Sequence, residues 1–245
     1  MAGDAEAVEQ EATAEEKPRS PYALLVELEG AAVNARRAQY EALRSLLAEH
    51  KVDVKREHFS RFCLGVSPAT YLPALIEALG GKKQIPDSLP ADVKSGVTMF
   101  LSSPDATLNP AAEGLLNAAH ERHMDVALLS SEKATVVQSL VGRWGGNHGR
   151  TKVFTFEPGS KTYPRADAWL KVAKGLSRTP SQCIVLAGSS YSVKTALSAG
   201  MRCVAVPDEF TAHQDYSGAD AVLETAEDHD PRVLLDLIAP LKPFI

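Results

Sequence analysis

Short apolar runs recur through the second half of the chain and occur once near its start. Each run has apolar side chains at consecutive positions, the pattern of a strand buried on both faces. The runs cover residues 23–26, 125–129, 152–156, 183–187 and 202–206, with a sixth at 221–223. Segments with helical spacing lie between them, at 111–123, 133–143, 165–176 and 191–199. This alternation predicts an α/β fold, a Rossmann-like parallel sheet with helices on both faces.

The stretch at 36–109 interrupts the alternation of strands and helices. Its apolar side chains recur at helical spacing, first at Tyr40, Leu43 and Leu47 and then within 59–62, 71–79 and 90–101. The pattern predicts an all-helical cap inserted after the first strand. We therefore expect a core formed by residues 20–35 and 110–245, with the cap at 36–109.

Residues 1–19 are rich in Ala and Glu and contain almost no large apolar side chain. Such a segment cannot bury enough apolar surface to offset the entropy of ordering, so we expect a disordered acidic tail. The net charge of -5 and the lack of a basic patch do not suggest a nucleic-acid partner. No apolar run approaches the ~18 residues of a membrane span. Three widely spaced cysteines and the lack of a recognisable targeting segment lead us to expect a reduced, cytoplasmic setting.

Polar residues follow several of the predicted strands. Glu27, Glu29 and Gly30 follow the first, Ser130 and Ser131 end the second, Lys161 comes after the third, and Gly188 begins a Gly-Ser-Ser turn after the fourth. Ligands bind beyond the carboxyl ends of the strands of an open parallel sheet. We therefore expect these residues to meet in one cleft.

The order of these features resembles the haloacid dehalogenase superfamily, in the branch that holds phosphoglycolate phosphatases and β-phosphoglucomutases. The resemblance covers residues 22–225. Besides the acid-x-acid-Gly turn, it rests on Asn109-Pro110 before a helix, on the turn at 65–67 and on the Ser-Ala-Gly-Met segment at 198–201. It implies the same α/β fold with a helical cap.

The resemblance also implies a role for each cleft residue. Glu27 stands where the family has its nucleophilic Asp, and Glu29 stands where it has the Asp that acts as general acid and base. Ser130 matches the residue that binds the phosphoryl group, and Lys161 matches the lysine that neutralises it. The acid that helps to hold Mg²⁺ is replaced by Gly188, so no metal site is predicted.

These replacements predict a pseudoenzyme. Glutamate adds one methylene to each reacting carboxylate, and misplacing a reacting atom by ~1 Å can cost ~100-fold in rate. We expect a catalytically inactive binding or regulatory protein, with a residual anion pocket at Ser130, the N–H of Ser131 and Lys161. A small anionic ligand, or a protein partner at the cap or cleft, would fit this role, and no cofactor is expected.

Two other functions remain open. One is a weak or atypical phosphatase that uses Glu27 as nucleophile together with Mg²⁺, and the other is an unrelated Rossmann-type binder. Simpler explanations also exist for single residues. Glu27 and Glu29 could be polar residues at a strand end, Ser130 and Ser131 could cap the following helix, and Lys161 could be a solvated surface lysine.

Overall fold

The structure is a computed structural model that describes residues 19–80, 86–145, 148, 151–156 and 163–239. Two of the predictions lie outside these residues. They are the disordered tail, of which only Arg19 is described, and the anion-binding role of Lys161.

A parallel sheet forms the centre of the described structure, in the strand order β3-β2-β1-β4-β5-β6. Every neighbouring pair in it is parallel. The strands are β1 (Ala23–Glu27), β2 (Asp125–Ser130), β3 (Lys152–Thr155), β4 (Cys183–Ala187), β5 (Arg202–Ala205) and β6 (Ala221–Val222). All six coincide with the predicted apolar runs, so the predicted α/β fold is confirmed.

Helices cover both faces of the sheet. Successive side chains of β1 alternate between two hydrophobic clusters, with Leu24 and Val26 in one and Ala23 and Leu25 in the other. The helices are α1 (Ala35–Glu49), α2 (Arg56–Phe62), α3 (Pro68–Ala78), α4 (Leu89–Ser102), α5 (Pro110–Glu121), α6 (Ala134–Trp144), α7 (Ala166–Gly175), α8 (Ser190–Ser198) and α9 (Pro231–Ile238). Helices α5, α6 and α9 pack on the first face, and α7 and α8 on the second.

Helices α1 to α4, here called the helical insert, share a third hydrophobic cluster. It includes Tyr40, Phe59 and Leu75, together with Phe210 from the loop after β5. The ring centroids of Phe59 and Phe210 lie 4.8 Å apart, so a core loop is packed into the insert. The helical character of 36–109 agrees with the sequence pattern, whereas its description as a separate cap domain stays a prediction.

No helix in the described ranges is both long enough and apolar enough to cross a membrane. The three cysteines are buried and unpaired.

Candidate functional site

Glu27 ends the central strand β1 and points into the interior at the carboxyl edge of the sheet. Its exposed fraction is only 7%. The chain then turns through a short π-helix, Leu28–Ala32. The backbone N–H of Gly188, which follows β4, donates to Glu27 Oε2 at 3.0 Å. The carboxylate is therefore held by the neighbouring strand's turn.

Arg36 is the second charged group at this edge. It lies in the first turn of α1 and is also only 7% exposed. Its Nη2 donates to Glu27 Oε1 at 3.3 Å, and its Nη1 donates to Asp208 Oδ2 at 2.8 Å. Nη1 also contacts the carbonyl oxygens of Gly30 at 3.0 Å and Gly188 at 2.9 Å. One buried guanidinium thus joins the turns after β1, β4 and β5.

The ion pairs keep Arg36 charged. Burial by itself lowers the pKa of Arg36, but the carboxylates of Asp208 and Glu27 outweigh it and leave the pKa raised. Asp208 is itself held in place, because its Oδ1 accepts from Phe210 N at 2.9 Å and from Thr211 Oγ1 at 3.1 Å. The cation and its partners are therefore fixed by the fold.

Glu29 accepts hydrogen bonds from Ser130 and Ser131, the two residues that the sequence analysis predicts to bind an anion. Its Oε1 accepts from Ser130 Oγ at 2.6 Å, from Ser131 N at 2.8 Å and from Ser131 Oγ at 3.2 Å. The two serines do not cap the next helix, because α6 begins at Ala134 with Lys133 as its N-cap. The explanation that these serines cap the following helix is therefore wrong. In the structure, the anion that they bind is the carboxylate of Glu29.

Burial shifts the protonation of Glu29. Removal from water raises its pKa, and the charge of Glu27 adds to the rise. Hydrogen bonds from Ser130 and Ser131 lower the pKa but do not compensate. Glu29 therefore takes up a proton at a higher pH than an ordinary glutamate.

A cavity of about 260 Å³ lies between the sheet edge and the helical insert. Glu29, Ser131 and Tyr163 line it from the core, and Lys94 and Val97 line it from α4. The buried Tyr163 hydroxyl has no hydrogen-bond partner among the described residues. Burial raises the pKa of this hydroxyl, and the charges of Glu29 and Glu27 raise it further. The hydroxyl therefore stays protonated and can donate a hydrogen bond, but no described residue accepts it.

Known proteins share this architecture. No family model matches the chain. YhcW of Bacillus subtilis, whose name proposes a phosphatase, is 25% identical over 217 residues, which cover 87% of this chain and 96% of YhcW. The crystal structure of CbbY from Rhodobacter sphaeroides in complex with phosphate matches with a TM-score of 0.64 at 20% identity, over 84% of this chain and 95% of that one. β-Phosphoglucomutase from Clostridium difficile matches with a TM-score of 0.63 at 18% identity, over 83% and 91% of the two chains.

The predicted resemblance to the haloacid dehalogenase-like hydrolases is confirmed. CbbY of Cereibacter sphaeroides is also similar in sequence, at 24% identity over 185 residues, which cover 68% of this chain and 80% of that protein. Identities this low between solved structures and the chain show a shared fold, and a shared fold does not establish a shared reaction.

The Mg²⁺ that haloacid dehalogenase-like phosphatases generally use does not fit the described cleft. The oxygen atoms of Glu27, Gly30, Gly188 and Asp208 that surround the centre of the cleft all contact the Arg36 guanidinium. Within the described ranges, no three His, Cys, Asp or Glu side chains are grouped so that they could hold a metal ion.

Gly188 lies where the structure has no space for a side chain. A Cβ atom at this position would overlap the backbone carbonyl of Gly30 and press on Arg36 Nη1. Because that neighbour is backbone, it cannot swing away as a flexible side chain would. An aspartate at 188 requires the turns after β1 and β4 to move apart.

The structure brings together most of the residues that the sequence singled out. Glu27, Glu29, Ser130, Ser131 and Gly188 all meet at the carboxyl edge of the sheet, although their functional roles stay predictions.

Sequence reasoning missed Arg36 and Asp208, although both carry a signal. Arg36 shares the buried helical face of Tyr40 and Leu43, where a charge needs a partner. Asp208 comes shortly after β5, at the same sheet edge as the other cleft residues.

Proposed function

We propose that this chain is a haloacid dehalogenase-like protein that has lost metal-dependent phosphatase activity and uses its cleft for binding. The position of Glu29 carries the proposal. Its carboxylate accepts a hydrogen bond from the hydroxyl of Ser130, which the resemblance assigns to the phosphoryl group, and one from the N–H of Ser131, the other donor of the predicted anion pocket. A substrate phosphate would have to displace a side chain that the protein itself supplies.

The carboxylates around the cleft oppose a phosphate ester as well, and the only lysine of the described residues that lines the cavity is the exposed Lys94. Besides Glu27 and Glu29, the buried carboxylate of Glu132 lines the cavity and accepts a hydrogen bond from Thr98. Arg36 is already paired with two carboxylates. Like charges brought together in a buried site repel strongly, because the effective dielectric constant is low there.

A phosphatase is the second candidate, and the relatives favour it. The name of YhcW proposes a phosphatase, and the similar CbbY structure contains phosphate. In this chain Glu27 would be the nucleophile, and Mg²⁺ would be expected only under this alternative. Glu29 would have to leave Ser130 and Ser131 before the phosphoryl group could bind there.

Hydrolysis assays separate the two candidates. The purified chain is given p-nitrophenyl phosphate and acetyl phosphate, with and without Mg²⁺, beside Glu27→Ala and the matched control Glu113→Ala, an exposed glutamate of α5. We expect all three proteins to give the same background turnover. Turnover that requires Mg²⁺ and disappears only in Glu27→Ala would overturn the proposal. Circular dichroism of each variant shows that the comparison is between folded proteins.

A binding role is compatible with the unpartnered Tyr163 hydroxyl, because it lines the cavity and can donate a hydrogen bond to a ligand. A small anionic ligand in the cleft, with help from Lys161, and a protein partner at the helical insert both stay predictions. The cytoplasmic location, and the expectation that neither nucleic acid nor membrane is a partner, stay predictions as well.

A further inference from the structure

The contacts of Arg36 form an oxygen-lined site around one cation. Four oxygen atoms surround the guanidinium: carboxylate oxygens of Glu27 and Asp208 and the carbonyl oxygens of Gly30 and Gly188. They come from the turns after β1, β4 and β5. Carboxylate and carbonyl oxygens are also the ligands that hard divalent cations prefer.

We propose that the Arg36 guanidinium permanently takes the place of a divalent metal ion in this cleft. The inference rests on the proposed loss of metal-dependent activity, because turnover that needs Mg²⁺ would require a metal where Arg36 lies. An arginine side chain stays protonated at every physiological pH and offers five N–H donors in a planar fork. It can therefore bind carboxylates and carbonyls from several segments at once, as a metal ion does.

The two glycines provide an independent reason for this assignment. A Cβ atom on Gly30 would overlap both Arg36 Nη2 and the carboxylate of Glu27, and one on Gly188 would overlap the Gly30 carbonyl. The planar guanidinium thus lies against backbone that has no side chains. The glycines at positions 30 and 188 thus leave the space that the guanidinium of Arg36 occupies.

The proposal makes a distinctive prediction about metal ions. The wild-type protein already has its cation, so Mg²⁺ should not stabilise it. Removing Arg36 leaves the carboxylates of Glu27 and Asp208 beside two carbonyl oxygens with nothing to neutralise them. This arrangement should then gain affinity for Mg²⁺ or Mn²⁺.

The test measures thermal unfolding in EDTA and in saturating Mg²⁺, and Mn²⁺ binding by electron paramagnetic resonance. Arg36→Met removes the charge at a similar side-chain length. Arg37→Met is the matched control, since the neighbouring Arg37 side chain is 59% exposed and pairs with Glu209 only at 3.6 Å. The double variant Arg36→Met with Glu27→Gln removes one of the carboxylates that the metal would need.

We expect the melting temperature of the wild type and of Arg37→Met to be the same in EDTA and in Mg²⁺. Removing one partner of a buried ion pair is strongly destabilising, so Arg36→Met should melt roughly 10 °C lower in EDTA. Mg²⁺ should restore part of that loss. Mn²⁺ should bind to Arg36→Met but neither to the wild type nor to the double variant.

Several results would overturn the inference. Mn²⁺ bound by the wild type and lost in Glu27→Gln would show that the cleft accepts a metal despite Arg36. A folded Arg36→Met variant without a response to either ion would show that Arg36 occupies no metal-like site. Should Arg36→Met fail to fold without metal, refolding in Mg²⁺ is the deciding measurement, and failure there refutes the inference too. None of these readouts uses turnover, so they can fail independently of the proposed loss of phosphatase activity.

Discussion

Replacing Glu29 with alanine should open the anion site that the protein now fills itself. In the wild type, three donors converge on Oε1 of this carboxylate: the hydroxyl of Ser130 and both the N–H and the hydroxyl of Ser131. Glu29→Ala removes the acceptor and leaves the donors facing the cavity. Phosphate added to the solution can then take the position that the carboxylate held.

The size of the effect follows from these contacts. Hydrogen bonds to a charged group contribute about 1.5–3 kcal/mol each, but three bonds to one oxygen are coupled and do not add. The variant also removes a carboxylate whose burial raises its pKa and therefore costs free energy. We expect a net loss in the free energy of unfolding of about 1–3 kcal/mol, or roughly 3–10 °C in melting temperature. At about ten times its dissociation constant, phosphate should return about 1.4 kcal/mol.

The assay is thermal unfolding in increasing phosphate at constant ionic strength, with amide NMR shifts of Ser131 to locate the ion. Glu29→Gln is the matched control, because its amide oxygen can still accept from Ser130 and Ser131. Phosphate should raise the melting temperature of Glu29→Ala clearly more than that of the wild type or of Glu29→Gln. Equal responses in all three proteins would refute the argument, since they would show that Glu29 does not block the donors.

Three further predictions concern pH and packing. Because the pKa of Glu29 is raised in the folded state, its protonation favours folding; lowering the pH from neutral towards 4.5 should stabilise the wild type relative to Glu29→Gln, which unfolding curves at several pH values would show. Gly188→Asp should destabilise the fold by more than about 3 kcal/mol in a urea titration, since its Cβ overlaps the Gly30 carbonyl. Gly142→Ala in α6, where a Cβ meets nothing, should instead be neutral or stabilising by up to about 1 kcal/mol. Phe210→Ala should cost about 3–5 kcal/mol by the same measurement, because the ring is fully buried.

Much of the fold could be predicted because strands buried on both faces leave a simple pattern. The run at 183–187 is apolar throughout, and the structure makes it strand β4, Cys183–Ala187, with every residue buried. Helix α9, Pro231–Ile238, was missed although it carries a signal. Asp230 caps it with its side chain and Pro231 occupies its first turn. Its apolar side chains form only a short pattern, which is weak without the neighbouring elements.

The positions of the site residues could be predicted, but their contacts could not. Their places after two strands of one sheet put Glu29 and Ser130 in the same cleft, yet the sequence does not show whether that carboxylate faces water or the serine donors. The partners of Arg36 are separated from it by up to 172 residues, at Asp208. Contacts of that range depend on side-chain direction and on the closeness of two turns, which hydrophobic periodicity does not encode.

The residues at positions 27, 29 and 188 shape the cleft through side-chain length and space. A glutamate reaches about 1.5 Å further than an aspartate, the length of one carbon–carbon bond. At position 27 the longer side chain meets the guanidinium of Arg36, and at position 29 it meets the donors of Ser130 and Ser131. The guanidinium in turn needs position 188 to lack a side chain. Changing Glu27, Glu29 or Gly188 singly to aspartate therefore disturbs an existing contact. Glu27 and Gly188 are tied to each other through Arg36, whereas Glu29 is held separately by Ser130 and Ser131, so a change at position 29 should leave the contacts of Arg36 in place.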